Sequence, residues 1–256
     1  MAILTCNFFS DALETGVTVN VVLPQATREQ IGVDPTVTPQ DGVPVLYLLH
    51  GLSDDHSAWT RYTSIERYAA EAGLAVVMPA AGRSFYANEA HGHRYFDYVS
   101  EELPGIVGDF FKVSARREDT FVAGLSMGGY GAMKLALTHP ERYAAAATLS
   151  GGLDVLAISR FPHRRDVFER AFDGTPPPEA DLFALLGKTD PAALPPLYVA
   201  CGTEDPLLGF SERFADQAAA AGVPVTTDFR TGTHEWGLWD ATIRDVIAWL
   251  PLRRDA

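Results

Sequence analysis

The sequence predicts an α/β fold: a mostly parallel central sheet with helices on both faces. Two observations carry that reading. Short apolar runs alternate with helix-period segments along most of the 256 residues. Several of those runs are apolar at every position and end at a glycine, as strands buried on both faces and feeding tight turns do.

The elements follow in order. Val17 to Leu23 alternates in polarity and reads as an early strand, closed by Pro24. The Pro-, Thr- and Gln-rich stretch from Gln25 to Gly42 reads as a loop or hairpin excursion. Val45 to Leu49 is a buried strand ending at His50-Gly51. Ser57 to Ala72 reads as one helix, with Ile65, Tyr68 and Ala69 at helical spacing, and Leu74 to Met78 as the next strand. Tyr95 to Phe111 is helical, interrupted at Pro104-Gly105. Thr120 to Ala123 is a strand and Gly128 to Thr138 a helix. The Ala-rich Tyr143 to Leu149 is locally ambiguous, and its place in the alternation favours a strand.

From Gly151 to Ala193 the rhythm breaks. This stretch carries Pro176-Pro177-Pro178 and the basic run His163-Arg164-Arg165, and it reads as a cap-like surface insertion at 151–193. The alternation resumes with a strand at Leu197 to Cys201, a helix at Ser211 to Ala221, a strand at Val225 to Phe229 and a helix at Leu238 to Leu250. No repeat or flexible linker divides the chain, so one domain over 1–256 is expected.

Composition narrows the function classes. Hydrophobic residues at 47% and charged ones at 21% are those of an ordered globular protein. The net charge of −13 repels phosphate backbones and anionic headgroups, so neither nucleic acid nor a membrane is an expected partner. Cys6 and Cys201 make neither a disulfide framework nor a four-ligand zinc site. The N-terminal stretch lacks a basic region and meets Asp11 early, unlike a secretory signal. No apolar run approaches the ~20 residues of a membrane helix. A cytoplasmic protein acting on a small molecule is the expectation, and a homo-oligomer is left open.

In a parallel sheet, ligands sit beyond the carboxyl ends of the strands. Four strand ends there are chemically loaded: His50-Gly-Leu-Ser-Asp-Asp55, Gly124-Leu-Ser-Met-Gly-Gly129, Gly202-Thr-Glu-Asp205 and Gly232-Thr-His-Glu-Trp236. Gly124 to Gly128 matches G-x-S-x-G. Three fixed positions at roughly 7% each give about one chance match in ten chains of this size, so the pentapeptide alone is weak. Its setting, after a buried strand and at the start of a helix, is that of a nucleophile elbow. Such a turn would expose the Ser126 hydroxyl and free the Met127 N–H to face developing negative charge. The plainer reading is a Gly-rich turn with a capping serine.

His234 follows the last strand and Asp205 precedes it in sequence, giving the order Ser, Asp, His. Asp205 would orient the imidazole. Its competitors are Glu204 and Asp154, and its plainer role is a helix cap before Pro206. The Leu52 N–H, after His50-Gly51, is the natural second oxyanion donor. Phe161 and Trp236 are candidate pocket walls, although an exposed insertion residue and a terminal-helix core residue are their plainer readings. Phe161, His163, Arg164 and Arg165 could select an anionic or aromatic group, but an exposed solvated cluster is the weightier reading. The loop Ser84 to Tyr95 is a further candidate wall. His91 and His93 lack a third metal ligand and read as polar loop residues, His56 as loop structure and Cys201 as packing. Neither a metal nor another cofactor is expected.

At these motifs the chain resembles the esterase D / putative esterase family of α/β-hydrolases. That family includes S-formylglutathione hydrolases and tributyrin or feruloyl esterases, and the closest likeness is to the bacterial tributyrin esterase branch. The resemblance spans nearly the whole chain. It rests on Tyr47-Leu-Leu-His-Gly-Leu-Ser-Asp-Asp-His-Ser-Ala-Trp59, Ser64-Ile-Glu-Arg-Tyr68, Gly124-Leu-Ser-Met-Gly-Gly-Tyr-Gly-Ala132 and His234-Glu-Trp-Gly-Leu-Trp-Asp240. It implies an α/β-hydrolase fold and a cofactor-independent serine carboxylesterase for small acyl or aryl esters. Ser126 would be nucleophile, Asp205 acid, His234 base, and the N–H groups of Leu52 and Met127 the oxyanion hole. The S-formylglutathione hydrolase branch resembles S-G-L-T-C-T in the oxyanion loop. This chain has His50-Gly-Leu-Ser-Asp-Asp55, which favours carboxylic esters over the glutathione thioester. The alternatives are an S-formylglutathione hydrolase-type thioesterase, an acyltransferase on the same triad, and a ligand-binding module without catalysis.

Overall fold

The computed structural model describes residues 1–25, 27, 31 and 42–253. Eight strands form one sheet: β1 (Ala2–Ser10), β2 (Thr15–Leu23), β3 (Val45–Leu49), β4 (Ala75–Pro79), β5 (Thr120–Leu125), β6 (Ala145–Leu149), β7 (Leu197–Gly202) and β8 (Val225–Arg230). Their spatial order is β1-β2-β4-β3-β5-β6-β7-β8. The β1–β2 and β2–β4 pairs are antiparallel and the other pairs parallel.

Helices cover both faces, because the parallel strands are apolar on both. Val45, Tyr47 and Leu49 of β3 enter one core, while Leu46 and Leu48 enter the other. Three helices close the second core: α1 (Ala58–Tyr62), α2 (Ile65–Ala72) and α10 (Trp236–Trp249). The first core is closed by α3 (Tyr95–Asp97) with its continuation, α4 (Leu103–Phe110), α5 (Met127–Thr138), the segment after β6, and α9 (Leu208–Ala220). Among the described residues no helix is long and apolar enough to cross a membrane.

Several expectations need correcting. The β1 strand carries no early signal: most of it is exposed and it lies at the sheet edge. The single helix expected over Ser57 to Ala72 is two, because Thr63 is extended and the Ser64 N–H is taken by Asp240 of α10 at 2.9 Å. Pro104 does not interrupt its helix. A π-turn at Tyr98–Glu102 precedes it, and Pro104 sits in the first turn of α4. A proline cannot bond the carbonyl four residues back. That carbonyl, on Ser100, accepts from the Arg142 guanidinium instead. The stretch from Gln25 to Gly42 lies largely outside the described residues.

The segment after β6 divides in two. It contains α6 (Val155–Ile158), α7 (Arg165–Phe172) and α8 (Leu182–Lys188). Val167, Phe168, Ala171, Phe172, Leu182 and Leu186 are buried in the first core. The Ala180 carbonyl accepts from the Tyr130 hydroxyl at 2.7 Å, which ties the Pro178 turn to α5. Among the described residues of this segment, Gly152 and the stretch around Ile158 to Arg164 line the cleft beside Ser126. A cap is therefore confined to that short stretch, and Pro178 belongs to the packed part.

Candidate active site

The elbow is built by backbone sterics. Ser126 has φ +52° and ψ −115°, a region that costs a non-glycine residue about 1–3 kcal/mol. It is held there by the bonds of its N–H to the Leu149 carbonyl (2.9 Å) and of its carbonyl to the Gly152 N–H (3.0 Å) and Tyr130 N–H (3.1 Å). A Cβ on Gly124 would lie 2.3 Å from the Gly128 carbonyl oxygen, and one on Gly128 2.4 Å from that of Leu49. Both glycines of the motif are thus required by close backbone approach.

Beyond the strand ends, His234 Nε2 lies 3.1 Å from Ser126 Oγ, and His234 Nδ1 lies 2.8 Å from Asp205 Oδ2. An Nδ1–H donating to Asp205 leaves Nε2 free to accept the serine proton. Two loops are laced together to make this meeting possible. The Thr203 N–H donates to the Arg230 carbonyl at 2.9 Å and the Glu204 N–H to that of Gly232 at 3.0 Å.

Asp205 is buried, and its other oxygen accepts from the Leu207 N–H at 2.9 Å. Burial alone would raise its carboxyl pKa. Hydrogen bonds from His234, the Leu207 N–H and the Ser150 hydroxyl outweigh that and hold it below the ordinary value. Glu204 beside it is exposed. Asp154 caps α6 through the Ala157 N–H at 2.8 Å and pairs with Arg213 at 2.6 Å, so it is engaged elsewhere.

Ser150 is a supporting residue that the motif reading missed. It directly follows β6 with φ +49° and accepts from Trp239 Nε1 at 3.1 Å. Trp239 in turn lies edge-on to the His234 ring, centroids 4.8 Å apart. The signal available was the strand-end rule itself, which applies to Ser150 as it does to Ser126.

The loop after β3 is equally fixed. His50 is buried, and its Nδ1–H donates to the Gly51 carbonyl at 2.7 Å while Nε2 accepts from the Ala81 N–H at 2.9 Å. Burial pushes its pKa down, so the ring is neutral and both bonds persist. The Tyr86 hydroxyl donates to the His50 carbonyl at 3.0 Å, and the Gly51 N–H to Asp54 at 3.2 Å. The N–H groups of Leu52 and Met127 have no acceptor among the described residues, which leaves two donors free beside Ser126.

Two clefts diverge from the Ser126–His234 pair. One, of about 300 Å³, is walled by Phe85, Met127, Ile158, Phe161, Pro206 and Leu207 and is largely apolar. The other, of about 660 Å³, is wider and more polar, with Asp54, Arg83, Arg164, Glu235, Trp236 and Trp239 on its walls. Leu52 lines both. The structure thus places Phe161 on the apolar cleft and Trp236 on the polar one, both beside Ser126. Trp236 also packs edge-on to Trp59 (5.3 Å) and Trp239 (5.2 Å), so it is wall and core at once. His91 instead pairs with Asp173 at 2.9 Å on the surface. Among the described residues no group of three His, Cys, Asp or Glu side chains could hold a metal.

The sequence model of the Putative esterase family matches residues 10–250. Two solved structures from Staphylococcus aureus are each 35% identical, over 97% of this chain and 98% of theirs. They are a substrate-bound fluorophosphonate-binding serine hydrolase F (TM-score 0.85) and an S-formylglutathione hydrolase apoenzyme (TM-score 0.84). An acetyl esterase of Caldicellulosiruptor saccharolyticus is 27% identical over 98% of both chains.

Proposed function

The chain belongs to the Putative esterase family and is a carboxylic ester hydrolase, and from that premise we propose that it cleaves small esters through an acyl-enzyme on Ser126. The Oγ–Nε2 and Nδ1–Oδ2 contacts of 3.1 and 2.8 Å carry the reading. Ser126 Oγ attacks the ester carbonyl carbon while His234 Nε2 takes its proton. The tetrahedral oxyanion is stabilised by the N–H groups of Leu52 and Met127. Asp205 fixes the imidazole tautomer and stabilises the imidazolium. Collapse breaks the bond to the alcohol oxygen, which leaves with the proton from His234. Water, deprotonated by His234, then releases the acid and restores Ser126. The 300 Å³ apolar cleft takes a short acyl chain, consistent with the acetyl esterase relative.

A fluorophosphonate probe followed by peptide mass spectrometry tests this. The expected adduct is on Ser126, and an adduct on Ser150 instead would overturn the assignment. A thioesterase reading has one observation in its favour, the 35% identity to the Staphylococcus aureus S-formylglutathione hydrolase. Comparing kcat/KM for S-formylglutathione with that for acetyl esters separates the two, and the ester is expected to be the better substrate.

A further inference from the structure

We infer that Arg83 and Arg164 select substrates whose leaving group carries an anionic oxyacid group, a carboxylate or a phosphate. This rests on the serine-esterase reading above and adds the chemical class of the alcohol portion.

Both arginines line the 660 Å³ cleft together with Ser126 and His234. Neither has a carboxylate within ion-pair distance among the described residues. What sets these two guanidiniums apart is that they share one cleft wall with Ser126 and His234. Two carboxylates share that wall and could have neutralised them, but both are committed to backbone donors. Asp54 accepts from the Gly51 N–H at 3.2 Å, and Glu235 caps α10 through the N–H groups of Gly237 (2.8 Å) and Leu238 (3.0 Å).

The bases of the two side chains are fixed while their tips are free. The Arg83 carbonyl accepts from Arg170 at 3.1 Å, and Arg170 is itself paired with Glu89 at 2.8 Å. The Arg164 N–H donates to the Phe161 carbonyl at 2.9 Å, just before α7. Burial first, and then the charge of Arg83, lower the Arg164 pKa, so the pair is uncomfortable without a counter-ion. An oxyanion relieves both effects, and guanidinium forks match its geometry in bidentate fashion. Arg164 borders both clefts and Arg83 only the larger one, so an anion between the two guanidiniums sits in the larger cleft, while the smaller apolar cleft suits the acyl chain; the anion thus falls on the leaving-group side.

The test compares kcat/KM for 4-acetoxybenzoate, 4-acetoxyphenyl phosphate and the neutral 4-acetoxybenzamide, which share one acyl group. At low ionic strength the wild type is expected to favour at least one anionic ester by about ten- to a hundredfold, and the preferred anion identifies the oxyacid. Added salt should shrink the preference. In the double variant Arg83→Gln/Arg164→Gln the ratio should fall to near one, and in Arg164→Lys to an intermediate value. A wild-type ratio near one for both anions, or a preference that survives in the double variant, would overturn the inference. So would an anion preference seen only on the acyl side, measured with phenyl hemisuccinate against phenyl butyrate. Turnover of the neutral amide ester reports on the esterase reading separately. Its complete absence, with no turnover of the anionic esters either, would sink that reading and this inference with it.

Discussion

Two cavities of this molecule each present a nitrogen base, one accessible to solvent and one buried, and they are built differently. In the cleft beyond the strand ends, His234 is held between two partners, Ser126 and Asp205, and two unbonded N–H groups stand beside the serine. On the flank of the sheet, Lys134 of α5 is buried beside a cavity of about 370 Å³. Among the described residues its ammonium meets the Tyr86 carbonyl at 3.4 Å and the face of Phe96 at 4.4 Å. Burial pushes its pKa down to about 8, with Glu179 and Asp97 too weak to restore it. A perturbed base therefore does not by itself mark a site. What distinguishes the His234 cleft is convergence: a hydroxyl, an imidazole, a carboxylate and free N–H donors meet in one place.

If the contrast is right, substitutions in the first region cost turnover and those in the second change stability. The largest effect is expected for His234→Ala, which removes the imidazole bonded to Ser126 Oγ and should lower kcat about 10⁵–10⁶-fold. Its thermal midpoint should stay near that of the wild type. A loss of tenfold or less would mean that another group activates the serine. Next comes Asp205→Asn, at about 10⁴-fold in kcat. Asp154→Asn should cost little activity, because that carboxylate serves Ala157 and Arg213. Were Asp154→Asn the more damaging change, the orienting acid would lie at the end of β6.

Phe161→Ala is expected to be milder. It opens the apolar cleft and should change the ratio of kcat/KM between short acyl and aryl esters by about 10–200-fold, with fluorophosphonate labelling intact. An unchanged profile in a stable variant would leave the loop from Ser84 to Tyr95 as the selecting wall.

Lys134→Met should give the smallest effect on activity and a gain in stability. The lowered pKa means that the folded state carries a charge it disfavours at neutral pH, at a cost of about 1–3 kcal/mol. That cost is complete below about pH 8. Between that value and the ordinary 10.5 the unfolded chain binds the extra proton, so wild-type stability should rise with pH. The advantage of Lys134→Met should shrink over the same window. Denaturant unfolding across pH 7 to about 10 reads this directly, and a pH-independent gap between the two proteins would refute it. Asp205 acts at the other end of the scale. Its depressed carboxyl pKa gives stability that is complete above the unfolded value of 3.8 and lost as pH falls through the folded one.

The legible part of the molecule was the part decided locally. The runs Val45 to Leu49 and Leu197 to Cys201 could be assigned because strands buried on both faces cannot tolerate polar positions. Ser126 could be singled out because its turn admits only small neighbours, and the Gly124 and Gly128 contacts show why. The chain order Ser126, Asp205, His234, each after a strand, followed from where a parallel sheet exposes its loops.

What the sequence could not hold was anything set by partners far along the chain. The break at Thr63–Ser64 depends on Asp240, 176 residues from Ser64. The continuity through Pro104 depends on Arg142 reaching the Ser100 carbonyl. Asp205 was preferred over Asp154 by position, but its geometry comes from the lacing of two loops and from Ser150, itself oriented by Trp239. The segment from Gly151 to Ala193 looked uniform in its loss of rhythm. Its division into a wall around Phe161 and a packed part around Phe168 was decided by which side chains met Phe85 and α5. Hydrophobic period and backbone sterics act over a few residues and can be read from the chain. Hydrogen-bond completion and the pairing, or not, of charges such as Arg83 and Arg164 depend on which loops the fold brings together.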